Sequence, residues 1–240
     1  MSNIEGKSAI VTGATRGIGR AVARALLERG GRVFICARTE SDVEQTVATL
    51  SKEFRERIHG SACDVGIYGH VRSMFARIEE VLGGVDLLIN NAGIGSRSYV
   101  ENMAIEEWDS TIQTNLSGVF YCCHEALPLM KRRGGGYIIN IGSLAGKNAF
   151  PGGAAYCASK FALIGFSEAL MQEVRYDHIR VSCVMPGSVN TSFARDGEQD
   201  PATSWKLSVE DVATTVMNLI EMDSRALASR FELRPSEPKK

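Results

Sequence analysis

Thr12-Gly13-Ala14-Thr15-Arg16-Gly17-Ile18-Gly19 follows the apolar run SAIVT (8–12) and leads directly into RAVARALLERG (20–30), whose apolar residues recur at helical spacing. Three glycines between a strand and a helix let the chain turn tightly and let backbone N–H groups approach a phosphate. They also let the helix pack close to the strand, with the partial positive charge of its N-terminus aimed at the turn. A Gly-rich turn with no ligand is the bland alternative, and its placement after the first strand argues against it.

Outward from that turn, short β-branched runs alternate with helix-period segments. The runs are RVFICA (32–37), GSAC (60–63), VDLLIN (85–90), YIINIG (137–142) and RVSCVM (180–185), with a last short strand near 229–234. Helices are expected at about 17–29, 39–56, 67–82, 106–132, 155–177 and 208–221. Such alternation marks an α/β fold, a doubly wound parallel sheet of the Rossmann type with helices on both faces. No repeat, low-complexity stretch or linker divides residues 1–240, so they are expected to form a single nucleotide-binding domain. The polar stretch 188–208 is longer than an ordinary connection and is expected to be a substrate lid, and the charged tail 236–240 is expected to fray.

Composition narrows the function classes. The chain is 44% hydrophobic and 23% charged with a formal net charge of -1, which provides no basic field for nucleic acid or an anionic membrane. Neither partner is expected; a small molecule is. Six cysteines (36, 63, 122, 123, 157 and 183) form no CxxC pair, and there is no export leader or spanning run, which suggests a cytoplasmic protein. His59, His70, His124 and His178 are scattered, so no metal site is expected. Lys131-Arg132-Arg133 before a triple glycine reads as cations closing a helix C-terminus.

The spacing TGxxxGxG resembles the short-chain dehydrogenase/reductase family, and further motifs of that family follow in order: Asn90-Asn91-Ala92-Gly93, Asn115, Ser143, Tyr156 with Lys160, and Pro186-Gly187. The resemblance runs from about Gly6 to Pro235 and is similar to that of 3-oxoacyl-acyl-carrier-protein reductases. It implies that Ser143 binds the substrate oxygen, Tyr156 transfers the proton, Lys160 holds the nicotinamide ribose, and Asn115 anchors a water leading from Lys160 to solvent. It also implies cofactor contacts from Gly13, Thr15, Arg16, Gly17, Ile18 and Gly19, from Asp64 and Val65 beside the adenine, and from Asn91, Ala92 and Gly93. Pro186, Gly187, Val189 and Thr191 would lie beside the nicotinamide. Asp64 has a second reading as a helix cap.

Chemistry supports the same trio. A carbonyl being reduced needs a proton donor at the developing alkoxide, and Tyr156 can act as that donor or as the reverse base, with Lys160 one helical turn on as its cation. Alone, YxxxK reads as an aromatic covered by a lysine stem; Ser143 at the C-terminal edge of the sheet changes that balance. The position at which NAD-binding chains carry an acid is here Ala37-Arg38-Thr39. A guanidinium and a hydroxyl there, with Arg16 in the turn, favour the 2′-phosphate of NADP(H).

The expected activity is NADP(H)-dependent interconversion of a carbonyl and a secondary alcohol, with 3-oxoacyl thioester reduction one form of it. Polyol, steroid or small-ketone substrates are the alternative, and a catalytically silent NADP sensor is a third reading. Asp177 stands where carrier-dependent reductases keep a base, although Arg132, Arg133 and Arg175 offer cations to an acidic carrier. Phe161, Leu163, Ile164, Phe166, Leu170 and Met171 make the segment after Ala154 apolar enough to meet both the sheet and another subunit, which suggests a homotetramer or homodimer.

Overall fold

The computed structural model describes residues 4–95, 97–191 and 204–238. Its chain alternates strand and helix as β1 (Ser8–Thr12), α1 (Gly17–Glu28), β2 (Arg32–Ala37), α2 (Glu40–Phe54), β3 (Ile58–Ala62), α3 (Tyr68–Leu82), β4 (Leu87–Asn90), α4 (Ile105–Ile112), α5 (Gly118–Arg132), β5 (Gly136–Ile141), α6 (Ala154–Val174), β6 (Ile179–Pro186), α7 (Val209–Glu221) and β7 (Arg230–Leu233). The seven strands form one sheet in the order β3-β2-β1-β4-β5-β6-β7, and every neighbouring pair is parallel. This is the doubly wound α/β fold that the alternation predicts.

Both faces of the sheet are covered at its centre, which explains why β1, β2, β4, β5 and β6 are buried almost throughout while the edge strands β3 and β7 are not. All five residues of β1 are buried. Ala9 and Val11 pack toward Val22, Leu26 and Leu27 of α1 and Val216 and Ile220 of α7. Ile10, on the other face, joins Val71 and Ile78 of α3, Val119 and Ala126 of α5, and Leu163 of α6.

The chain builds outward from β1 through β2 to β3, then returns so that β4 pairs with the other side of β1. A crevice must therefore open at the C-terminal ends of β1 and β4, where the flanking connections leave in opposite directions. The glycine turn and the Asn90-Asn91-Ala92-Gly93 segment both start there.

One expected helix differs. The segment 106–132 is not continuous: α4 and α5 are separated by one wide π-helical turn, Gln113–Ser117. Its cause is tertiary and lies in Asn115, discussed below. Of the stretch 188–208, residues 192–203 lie outside the described residues, as do 239 and 240 of the tail. The ends of that stretch meet: Asn190 N–H donates to the Leu207 carbonyl at 2.8 Å and Leu207 N–H to the Ser188 carbonyl at 3.0 Å. Among the described residues, no helix is long and apolar enough to cross a membrane.

Candidate active site

A cavity of about 490 Å³ occupies the crevice. Behind its lining stands Thr12, whose hydroxyl oxygen accepts from the N–H groups of both Asn91 and Ala92 at 3.0 Å. Asn91 returns the contact, donating its amide to the carbonyls of Thr12 at 2.9 Å and Gly13 at 3.0 Å. The two sides of the crevice are thus tied to each other before any ligand enters. Gly19 completes the closure, because a Cβ there would stand 2.5 Å from Asn91 Nδ2 and 3.0 Å from Ala14 Cα. Thr12→Val keeps the shape but strands two N–H groups, and should cost about 2 kcal/mol, a fall in Tm of roughly 4–8 °C by calorimetry.

Behind the turn, α1 begins at Gly17 with Arg16 extended as its N-cap. Arg16 makes no side-chain capping bond, and no acidic residue lies in the first turn. Its leading N–H groups are therefore available to an anion. Arg16 and Arg38 line this end of the cavity, both are exposed, and neither pairs with a carboxylate among the described residues. Thr39 is the N-cap residue of α2 without a capping hydrogen bond, and lies beyond the lining. Asp64 lines the cavity with Val65. Its carboxylate accepts from Gly66 N–H at 2.9 Å, while the N-cap residue of α3 is Ile67. Asp64 therefore shapes the turn ahead of the helix rather than capping it.

At the opposite end, Ser143 follows β5, its hydroxyl accepting from Ala145 N–H at 3.1 Å and reaching the Tyr156 hydroxyl. Tyr156 lies in the first turns of α6. Burial pushes its phenol above the ordinary value, with the Ser143 hydroxyl acting in the other direction. Lys160, one turn on, is buried, and its ammonium donates to the Ile141 carbonyl at 2.9 Å. It stands 5.8 Å from the centre of the Tyr156 ring. Burial lowers its pKa from 10.5 to about 8, with nearby Cys183 opposing. In this arrangement the phenol is held protonated, as a donor must be.

Asn115 does not line the cavity; it is fully buried behind it. Its side-chain oxygen accepts from Ile94 N–H at 2.8 Å and its amide donates to the Ile94 carbonyl at 2.9 Å, so it imitates a strand partner for Ile94. The same amide donates to Ser159 Oγ at 3.1 Å, and Ser159 donates to the Tyr156 carbonyl at 2.7 Å. The π turn is where the helix carries Asn115 between these two segments, a common use of π turns at functional sites.

Of the residues singled out from sequence, the cavity brings together Gly13, Thr15, Arg16, Gly17, Ile18, Arg38, Asp64, Val65, Asn91, Ala92, Gly93, Ser143, Tyr156, Lys160, Pro186, Gly187, Val189 and Thr191. Gly19, Thr39 and Asn115 stand outside its lining. Sequence reasoning missed Cys63 and Thr114 and the supporting Thr12 and Ser159, and pointed to Ile94 and to the loop 144–153 that holds Phe150 only as substrate loops. Of those missed, only Thr12, as the first letter of the glycine motif, carried a visible signal. Among the described residues there is no cluster of His, Cys, Asp or Glu able to hold a metal ion.

The donor set fits a dinucleotide: the lining joins the uncapped start of α1 and two guanidinium groups that pair with no carboxylate among the described residues to a hydroxyl pair with a buried ammonium. Comparison with known proteins agrees. The short chain dehydrogenase family model matches residues 7–202. The chain is 39% identical over 193 residues to the 3-oxoacyl-acyl-carrier-protein reductase of Escherichia coli, covering 80% of this chain and 78% of that one. It is 35% identical over 244 residues to dehydrogenase/reductase SDR family member 11 of Homo sapiens, covering 95% and 94%. Among solved structures, an alcohol dehydrogenase from the archaeon Thermococcus sibiricus, complexed with 5-hydroxy-NADP, superposes with a TM-score of 0.90 at 28% identity, covering 98% of this chain and 99% of that one.

Proposed function

Because the chain belongs to the short-chain dehydrogenase/reductase family, we propose that it is an NADP(H)-dependent oxidoreductase that interconverts a ketone and a secondary alcohol at Ser143, Tyr156, Lys160 and Asn115. The observation that carries this is that the Ser143 and Tyr156 hydroxyls and the buried Lys160 side chain line the same cavity as the glycine turn, Arg16 and Arg38.

In this reading the turn from Gly13 to Gly19 holds the pyrophosphate, Arg16, Arg38 and Thr39 the 2′-phosphate, Asp64 and Val65 the adenine, and Asn91, Ala92 and Gly93 the adjoining ribose. Lys160 holds the nicotinamide ribose, and Pro186, Gly187, Val189 and Thr191 flank the ring. The reduced nicotinamide supplies the hydride. Ser143 donates a hydrogen bond to the carbonyl oxygen, which polarises it, and Tyr156 delivers the proton as charge develops there. Asn115 positions Ile94 on one side and, through Ser159, the start of α6 on the other.

The Escherichia coli relative's name supports a 3-oxoacyl thioester as one candidate ketone. The candidate cations for an acidic carrier do not support a carrier-bound one. Arg132 pairs with Glu79 at 2.5 Å and Arg133 with Asp86 at 2.9 Å, and Arg175 donates to the Gln172 side-chain oxygen at 2.8 Å. Arg132 ends α5, Arg133 follows it and Arg175 follows α6, so all three lie where helices lead into the N-terminal ends of β5 and β6, opposite the cavity. Phe120 of α5 and Phe161 of α6 are 48% and 47% exposed, which supports a homodimer or homotetramer in which another copy covers them. Six unpaired buried cysteines support a reducing, cytoplasmic setting.

A panel of ketones with NADPH oxidation as the readout tests the proposal. Turnover with NADPH well ahead of NADH is expected; tight NADPH binding with no turnover would move the protein to a sensor role. Arg38→Asp should shift the NADPH-to-NADH ratio of kcat/KM by about 30-fold toward NADH, since a carboxylate accepts from a ribose hydroxyl but repels a phosphate. An unchanged ratio would remove Arg38 from the cofactor site.

A further inference from the structure

The site's substrate end is built by a turn that sequence motifs do not describe. Between Ser143 and Tyr156 the chain runs Phe150-Pro151-Gly152-Gly153, and Gly153 N–H donates to the Phe150 carbonyl at 3.1 Å. Pro at the second position and Gly152 at the third, with φ +77°, are the residues a type II turn demands. Gly153 is the N-cap residue of α6, so the turn is fastened to the helix that carries Tyr156.

The turn fixes one ring. A Cβ on Gly153 would come within 2.6 Å of Phe150 Cε2 and 2.7 Å of Cζ, so the Phe150 ring lies flush on bare backbone. That ring lines the cavity and is still 40% exposed, which makes it part of the mouth. Ile94 and Val189 share the lining, and Ser188 beside them is exposed. The charged residues among the described lining are Arg16, Arg38, Asp64 and Lys160, each already engaged with the cofactor in the proposed reading. Arg97 approaches only the outer side of the turn, its Cγ 3.7 Å from where a Gly152 Cβ would stand, and is not part of the lining.

Resting on the proposed carbonyl chemistry, we infer that Phe150 is a specificity-determining residue and that the substrate class is an uncharged ketone bearing an aryl or bulky hydrocarbon group, which packs on the Phe150 ring. A ring backed on one side by bare glycine backbone presents its other side to the cavity as an apolar face, and aromatic contacts there reward an aryl substituent. A polyol would bury hydroxyl groups against Ile94, Phe150 and Val189, where their hydrogen bonds to water are lost without replacement.

The experiment measures kcat/KM of the full-length enzyme, saturated with NADPH, for a phenyl ketone, for butanone and for a keto sugar. The wild type should prefer the phenyl ketone, and Phe150→Ala should lower the phenyl-to-butanone ratio about tenfold, mainly through KM. Phe150→Tyr should restore it, and unaltered NADPH affinity in each variant reports an intact fold. Arg97→Ala should leave the ratio as it is. A ratio indifferent to position 150, or a preference for the keto sugar, would overturn the inference while leaving the oxidoreductase reading in place. So would a requirement for Arg97 with a carboxylate-bearing ketone. Failure of the wild type to reduce any carbonyl would overturn both.

Discussion

Tyr156→Phe is expected to lower kcat by about 10³-fold while NADPH affinity stays within a few-fold of wild type. The substitution removes one oxygen and leaves the ring in place. What disappears is the hydroxyl that, in the proposed mechanism, donates a proton to the substrate oxygen. The pKa direction adds a pH signature: burial holds the phenol above its ordinary value, so before ligand binding it is protonated throughout the neutral range. Ketone reduction should accordingly change little across neutral pH and decline only in alkali, whereas alcohol oxidation, which needs the phenolate, should climb with pH. Stopped-flow measurement of NADPH oxidation beside fluorescence titration of NADPH separates chemistry from binding. A variant with near-normal kcat would assign the proton to another group.

Lys160→Met should abolish most turnover and yet make the protein without cofactor more stable. The lysine is buried, with its pKa lowered from 10.5 to about 8 by loss of hydration. An unfolded chain holds that proton at the ordinary value, so between about pH 8 and 10.5 the unfolded state binds more protons and stability rises with pH. Below about pH 8 both states are protonated and the full penalty applies, on the order of 3 kcal/mol. Methionine fills a similar volume without the charge. The Ile141 carbonyl loses its donor at 2.9 Å, but Ile141 lines the cavity and water can replace it at modest cost. A Tm roughly 5 °C above wild type at pH 7 is expected, with a smaller gain near pH 10. A lower Tm at pH 7 would mean that the ammonium stabilises the fold rather than serving the site at the fold's expense.

These two residues were legible before any coordinates, and the reasons differ from those that hid others. The strands SAIVT and RVFICA occupy the residues the sequence marks, 8–12 and 32–37, because burial on both faces demands an unbroken apolar run with polar ends. Tyr156 and Lys160 share a helix face through their i, i+4 spacing, a local property, and stand out only beside Ser143 and the glycine turn. The break at Gln113–Ser117 did not show itself, since it comes from Asn115 bonding to Ile94, 21 residues away. Phe150 had no periodicity to announce it: its place depends on Gly153 being bare and on the cavity beyond.

From the sequence alone come the order of strands and helices, the glycine turn, and the proposals that Arg16 and Arg38 favour NADP(H) and that Ser143, Tyr156 and Lys160 carry the chemistry. All of these depend on local spacing, backbone freedom or residue chemistry that neighbours along the chain already define. Only the tertiary structure decided that Lys160 bonds to the Ile141 carbonyl, that Asn115 stands behind the cavity, that Arg132, Arg133 and Arg175 lie opposite the cavity, and that Phe150 forms the mouth. Each of those depends on which distant segments share a face of the sheet or an end of a strand, and parallel pairing, with its long crossovers, sets such neighbours by topology rather than by distance along the chain.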